Sequence, residues 1–256
     1  MERIPNKIIG NLDAKTIKFQ NEIINRLRLF DFSKEAILYY SESQKKEFKG
    51  YSFGKLQSSF KTVRFKKGTT IKSIDYKDIV NVGNSFISGE LSDSIFVLNM
   101  ATFEHWLVCM IKALILSNPQ SFFPDSKKQI DVIRLKKFHD MTMLWEELCD
   151  EYLNALLYDG MMNVLKRLLK FFGLKESDFT KNILGKINEK SMCRNVIIHN
   201  QKIVNATYIK KSGKFGKFAE GAQIIVTEDL LVEQADDFLR FMQDFRKTHA
   251  QGKKTT

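Results

Sequence analysis

Proline is scarce in this chain. Three occur in 256 residues, Pro5, Pro119 and Pro124. Two of them punctuate one place, Ser117-Asn-Pro-Gln-Ser-Phe-Phe-Pro124. That place must be a loop, because each proline disfavours helix at the residue before it. Long helix-like stretches lie on either side. Cysteine is scarce too. Cys109, Cys149 and Cys193 are odd in number, far apart, and follow no CxxC or Cys/His metal spacing. They read as reduced thiols in a cytoplasmic protein, not as a disulfide framework. Long apolar runs are missing. The most apolar stretch, Trp106 to Leu116, is interrupted by Lys112. It is too short to span a bilayer and is expected to form a core helix, so no membrane partner is anticipated. The opening residues, MERIPNKIIGNLDAK, have no apolar core and do not read as a signal peptide. No Asp/Glu cluster with metal-ligand spacing stands out, and no metal or other cofactor is expected.

Acidic residues are outnumbered: 30 Asp plus Glu face 41 Lys plus Arg, a formal net charge of +11. The excess favours an anionic partner such as RNA, DNA or an acidic protein. A basic protein with no polyanionic partner is the plain alternative. The apolar fraction of 43% is ordinary for a globular protein with a real core. The length suits one large domain or two small ones.

The chain reads as mainly α. Residues 1–90 look like a separate, basic N-terminal region of unknown fold, 91–248 a helical domain and 249–256 a disordered tail. In the first region, Ile17, Ile23, Ile24, Leu27 and Phe30 give Thr16–Phe30 a helical pattern. Asp31-Phe-Ser33 is expected to break it, with Ser33 capping a second helix over Lys34–Tyr40. Lys61–Ile74 alternates with period two, and Lys67-Gly68 suits the turn of a small β-hairpin. Lysines and arginines here, including Lys66 and Lys67, are interleaved with Tyr51, Phe53, Phe60 and Phe65. Such a mixture can grip single-stranded nucleic acid by charge and stacking; it equally suits a solvated positive face over a small core.

Farther on, helices are expected over Asp93–Leu116, within Ser126–Leu157, and over Met161–Phe172, the last ended by Gly173. Lys175–Ile187 also reads as helix, weakened by Gly185. Arg194–Val204 reads as helical or half helical, and Ala222–Val226 as a short strand. A final helix should start after Thr227, its N-cap.

The stretch with the most chemistry is Arg194-Asn195-Val-Ile-Ile-His199-Asn200. Arginine presents phosphate with a fixed, permanently charged fork. Histidine moves protons near neutral pH. Asn195 and His199, at i and i+4, share a helix face, so Asn195 can orient the imidazole. Arg194 and His199 lie about 140° apart around a helix, so they cannot both stand upright on one face. Arg194 must reach around, or two copies must meet across a two-fold axis. The chemistry suggested is metal-independent RNA cleavage. Histidine would take a ribose 2′-hydroxyl proton, and arginine would stabilise the charge growing on phosphorus oxygens. The structural alternative pairs Arg194 with a nearby carboxylate such as Glu189 and leaves His199 a satisfied histidine.

The run Ser191-Met-Cys-Arg194-Asn195-Val-Ile-Ile-His199-Asn200, with Asn205 and Tyr208-Ile209 following, resembles the signature of the HEPN superfamily (higher eukaryotes and prokaryotes nucleotide-binding). It is similar to a stand-alone bacterial branch known as RiboL-PSP-HEPN or MAE-type HEPN. Ile224-Ile-Val-Thr-Glu-Asp-Leu230 and a final helix add to the likeness, which covers roughly residues 93–248. The resemblance implies a helical bundle of four or five helices that dimerises so that two motifs face each other. It implies an endoribonuclease of toxin–antitoxin or phage-defence type, or a relative that has lost catalysis and binds RNA or a nucleotide. It also implies a polar residue on an earlier helix, best matched by Glu104, with His105 beside it as a second candidate. An acid in that apolar helix would be costly to bury unpaired, and a salt bridge to Arg194 would resolve the cost. Gln201-Lys202 departs from the family, whose members often carry a glycine-containing turn there.

Catalysis is therefore expected of Arg194, His199, Asn195 and Glu104, and RNA contact of Asn200, Lys202, Lys210, Lys211, Lys66 and Lys67. The expected partners are RNA, a second copy of the chain, and an antitoxin or a nucleotidyltransferase. His139 and His249 have no supporting neighbours and are assigned nothing.

Overall fold

The computed structural model describes residues 6–48, 84–117, 119 and 138–251. The Lys61–Ile74 hairpin, with Lys66 and Lys67, lies outside the described residues, as does the start of the Ser126–Leu157 stretch. Among the described residues the architecture is mainly helical, with seven α-helices.

Helix α1 (Asn6–Phe48) runs unbroken through Asp31-Phe-Ser33. The expected break fails because neither proline nor glycine stands there. Asp and Ser cost a helix only a few tenths of a kcal/mol each relative to good helix formers, about the size of one surface ion pair. Ser33 satisfies its hydroxyl by donating back to the Leu29 carbonyl at 2.8 Å instead of capping a new helix. Leu12, Thr16, Phe19, Ile23 and Phe30 form the buried stripe of α1. Leu12, Phe19 and Ile23 enter the same core as Phe103, Trp106 and Phe241, so the N-terminal helix shares its packing with the rest.

Helix α2 (Ser92–Ser117) is the central element. It follows a helical turn from residue 84 and a π-type turn, Ile87–Leu91. Phe96, Phe103, Trp106 and Met110 are wholly buried. Trp106 donates its indole N–H to Thr16 Oγ1 at 3.0 Å, which fixes α1 on α2 without leaving a buried donor unpaired. Arg26 of α1 donates to Thr102 Oγ1 at 2.5 Å. By length and composition alone, the continuous helix Asn84–Ser117 is apolar enough to cross a membrane, but 56% of its apolar window is packed inside this fold.

Helices α3 (Met141–Tyr158) and α4 (Met161–Phe172) form a hairpin. Asp140 caps α3 by accepting from the Met143 amide at 2.9 Å. Gly173 ends α4 in the left-handed conformation, as its position suggests. The stretch from Lys175 is not the expected helix: Glu176–Asp178 makes one 3-10 turn, and α5 starts at Ile183 and ends at His199. Gly185 does not weaken α5 without return. A Cβ there would stand 2.0 Å from the Phe215 ring, so the missing side chain admits that ring against the helix.

Helix α6 (Ala206–Ser212) is capped by Asn205, which accepts from the Tyr208 amide at 3.0 Å. The strand expected at Ala222–Val226 is reduced to one antiparallel bridge, Ile203 with Gln223. Its partner segment is pinched between the ends of α5 and α6, leaving room for little more than Val204 N donating to Ala222 O at 2.9 Å and Ile224 N to Lys202 O at 2.8 Å. Helix α7 (Glu228–Gln251) closes the fold. Thr227 caps it as expected, its hydroxyl accepting from the Leu230 amide at 3.3 Å. Phe238 stacks on Phe103 with centroids 4.4 Å apart, and Phe241 on Phe179 at 4.9 Å.

Candidate active site

The last two turns of α5 form one wall of a cleft of about 490 Å³. Glu104 from α2, Lys211 from α6 and the α3–α4 turn complete it. Arg194, Asn195, His199 and Asn200 all line this cleft within one chain. The angular separation of Arg194 and His199 is thus accommodated by a concave surface, not by a shared helix face. His199 is exposed and Arg194 is half-buried.

Arg194 Nη2 donates to Glu104 Oε1 in an ion pair. The two side chains are 22% and 24% exposed, so the pair joins α5 to α2 at the wall of the cleft and not inside the core. Glu189, the other carboxylate within reach by sequence, is committed elsewhere. It accepts from Tyr208 Oη at 2.7 Å, from Lys190 Nζ at 3.0 Å and from Cys193 Sγ at 3.0 Å. His105 stands apart from the cleft lining, edge-on to the Phe19 ring with centroids 5.3 Å apart.

The residues expected to touch RNA separate into groups. Lys211 lines the cleft and Lys210 is exposed beside it on α6. The Asn200 amide donates to the Ile203 carbonyl, holding the turn after α5. Lys202 is paired with Asp93 at the start of α2 and lies outside the lining. Gln201 and Lys202 take left-handed φ values of +50° and +67°. The backbone thus makes a turn that glycine would favour, and the Lys202–Asp93 pair anchors it. His139 is exposed away from the site.

Beneath the cleft lies a buried ionic cluster that the sequence did not announce. Lys190 is fully buried between Glu189 at 3.0 Å and Glu233 at 3.2 Å. Burial alone would push its ammonium down; the two carboxylates reverse that and raise it. Glu233 is likewise opposed by burial, yet held below the usual carboxylate range by hydrogen bonds from Lys217 and Lys190 and by their charges. Tyr208 is buried; its hydroxyl donates to Glu189 and accepts from the Lys217 amide at 3.1 Å. Desolvation beside Glu189 raises the Cys193 thiol far above its ordinary value, so it is a packing residue and not a nucleophile. The cluster ties α5 to α6 and α7, and Tyr208 joins it to the cleft lining.

The sequence also gave little sign of Tyr158 or Gly160, which line the cleft from the α3–α4 turn. The one available cue is an aromatic residue placed directly before Asp159-Gly160. Among the described residues, no group of three or more His, Cys, Asp or Glu side chains is arranged to hold a metal ion. No family model matches the chain, nor does any curated protein or solved structure.

An exposed imidazole and a part-buried guanidinium in one concave, basic-rimmed cleft can together handle a phosphodiester. One group moves a proton, and the other meets negative charge on the phosphoryl oxygens.

Proposed function

We propose that the chain is a metal-independent endoribonuclease of the HEPN type, acting as a toxin or phage-defence effector. The carrying observation is that Arg194 and His199, together with Asn195, line a single cleft of one chain. In this reading, His199 removes the proton from a ribose 2′-hydroxyl. The oxygen attacks the adjacent phosphorus, the bond to the 5′-oxygen breaks, and that oxygen takes a proton from water, leaving a cyclic phosphate and a free 5′-hydroxyl. Arg194 neutralises the developing charge, and Asn195, one helical turn before His199, orients the ring. Glu104 holds the guanidinium in place. Lys211 and Lys210 attract the backbone of the strand. A homodimer, and an antitoxin or nucleotidyltransferase that silences the enzyme, belong to the same proposal.

One observation favours a second reading. The Arg194 fork is already engaged by Glu104, which suits a module that binds RNA or a nucleotide without cutting it. RNA cleavage in the presence of EDTA separates the two. The expected result is cleavage by the wild type that is lost in His199→Ala and in Arg194→Ala. RNA binding without cleavage by any form would favour the binding module. Cleavage surviving both substitutions would remove these residues from the site.

A further inference from the structure

We infer that Tyr158 is a stacking platform for a nucleobase, and that the cleft takes single-stranded rather than duplex RNA. The inference rests on the RNA reading above and names the substrate class of that same site. Tyr158 is 92% exposed, an unusual state for a large aromatic ring. It ends α3 at the cleft that also holds Arg194 and His199.

The ring stands on an ordered support. Asp159 N donates to Leu156 O at 3.2 Å, Gly160 N to Leu157 O at 3.3 Å, and Asn163 N to Gly160 O at 3.0 Å. The Asn163 amide donates to the Asp159 carbonyl at 3.0 Å. Gly160, at φ +92°, supplies a conformation that other residues rarely adopt, letting α4 start at once. The platform is therefore positioned before any ligand arrives.

Its surroundings select the ligand. The α3–α4 turn also borders a second groove, which shares no lining residue with the cleft and carries Lys166, Arg167 and Lys170 with Asp159 as its one acid. None of these three cations forms an ion pair with a carboxylate among the described residues. Lys170 lies ten residues beyond Gly160, about 15 Å along the helix. An open aromatic face at one groove and three cations at the next match unpaired bases on a charged backbone. A duplex hides its base faces inside the stack and cannot use the ring.

The test is fluorescence anisotropy with a short labelled single-stranded RNA and the same RNA annealed to its complement, both in EDTA. All proteins carry His199→Ala so that the probe stays intact. The expected result is tighter binding of the single strand, weakened about 5- to 150-fold by Tyr158→Ala, as loss of one stacked base would give. Tyr158→Phe should retain most of that affinity, and replacing Lys166 and Arg167 by Ala should weaken it and flatten its salt dependence. Equal binding of both RNAs, unchanged by Tyr158→Ala, would overturn this inference and leave the ribonuclease reading standing. Binding of neither RNA would overturn both. A dimer by light scattering that Tyr158→Ala converts to a monomer would assign the ring to a second copy of the chain instead.

Discussion

Asp236 and Asp237 are neighbours of identical chemistry with opposite fates. Asp236 is exposed and meets Arg240 one turn on, at 2.6 Å. Asp237 is buried, with one oxygen 3.5 Å from Lys186 Nζ and the other without a partner among the described residues. Burial raises the Asp237 carboxyl above its ordinary 3.8, only partly offset by Lys186 and Lys190. A folded-state value above the unfolded one means that charging the group disfavours the fold. Stability from this residue is greatest below the unfolded value and falls as pH rises through the folded one. Asp237→Asn should therefore raise the melting temperature at neutral pH, with a smaller gain near pH 4 (thermal melts at both values check it). A gain that grows on acidification would contradict the assignment. Nothing in the dipeptide distinguishes its two members; only the heptad-like spacing of Leu230, Gln234, Asp237 and Phe241 hints that the second faces inward. Arg194 and His199 were legible for a different reason: their residue types carry rare chemistry. Glu104 was legible as an acid in an apolar helix, and it pairs as that cost requires.

Elements were legible where apolar spacing and caps agreed. Helices α2, α4 and α7 lie close to their expected bounds because Gly173 and Thr227 mark helix ends and the apolar stripes are dense. Errors arose where a tertiary contact overrode a local signal. Asp31-Phe-Ser33 looked like punctuation, yet packing of Phe30 before it and Ile37 after it into one cluster carries α1 straight through. Gly185 looked like a weak point, and it is where the Phe215 ring, 30 residues on, comes against α5. A side chain arriving from so far along the chain leaves no local trace. Gly185→Ala gains helix propensity of about 1 kcal/mol but must displace an aromatic ring from 2.0 Å. Overpacking of this kind costs about 1–3 kcal/mol, so the net effect should be destabilising. Urea unfolding of Gly185→Ala, alone and with Phe215→Leu, checks it. The second substitution should return much of the loss, and a more stable single variant would show that the ring does not pack there.

At the scale of the molecule, one helical fold brings the whole motif into a single chain's cleft, with α1, distant in sequence, sharing the core that supports it. The positive charge of +11 is legible from composition, but its distribution is not. Lys190 and Lys202 are spent on internal ion pairs, whereas Lys166, Arg167, Lys170 and Lys211 face grooves. The sequence left two ways to bring Arg194 and His199 together, within one chain or across two. If catalysis needs the pair in cis, a chain lacking either residue is inactive whatever its partner. If each site takes arginine from one chain and histidine from the other, a hybrid of Arg194→Ala and His199→Ala chains contains one intact site. The two variants, differently tagged, can be co-expressed and the hybrid isolated through both tags. The shared cleft predicts that the hybrid cleaves no better than either parent, while a hybrid with one wild-type chain keeps activity. Recovery in the doubly mutant hybrid would mean that the working site is built across the two-fold axis, with the Glu104–Arg194 pair of one chain serving the histidine of the other.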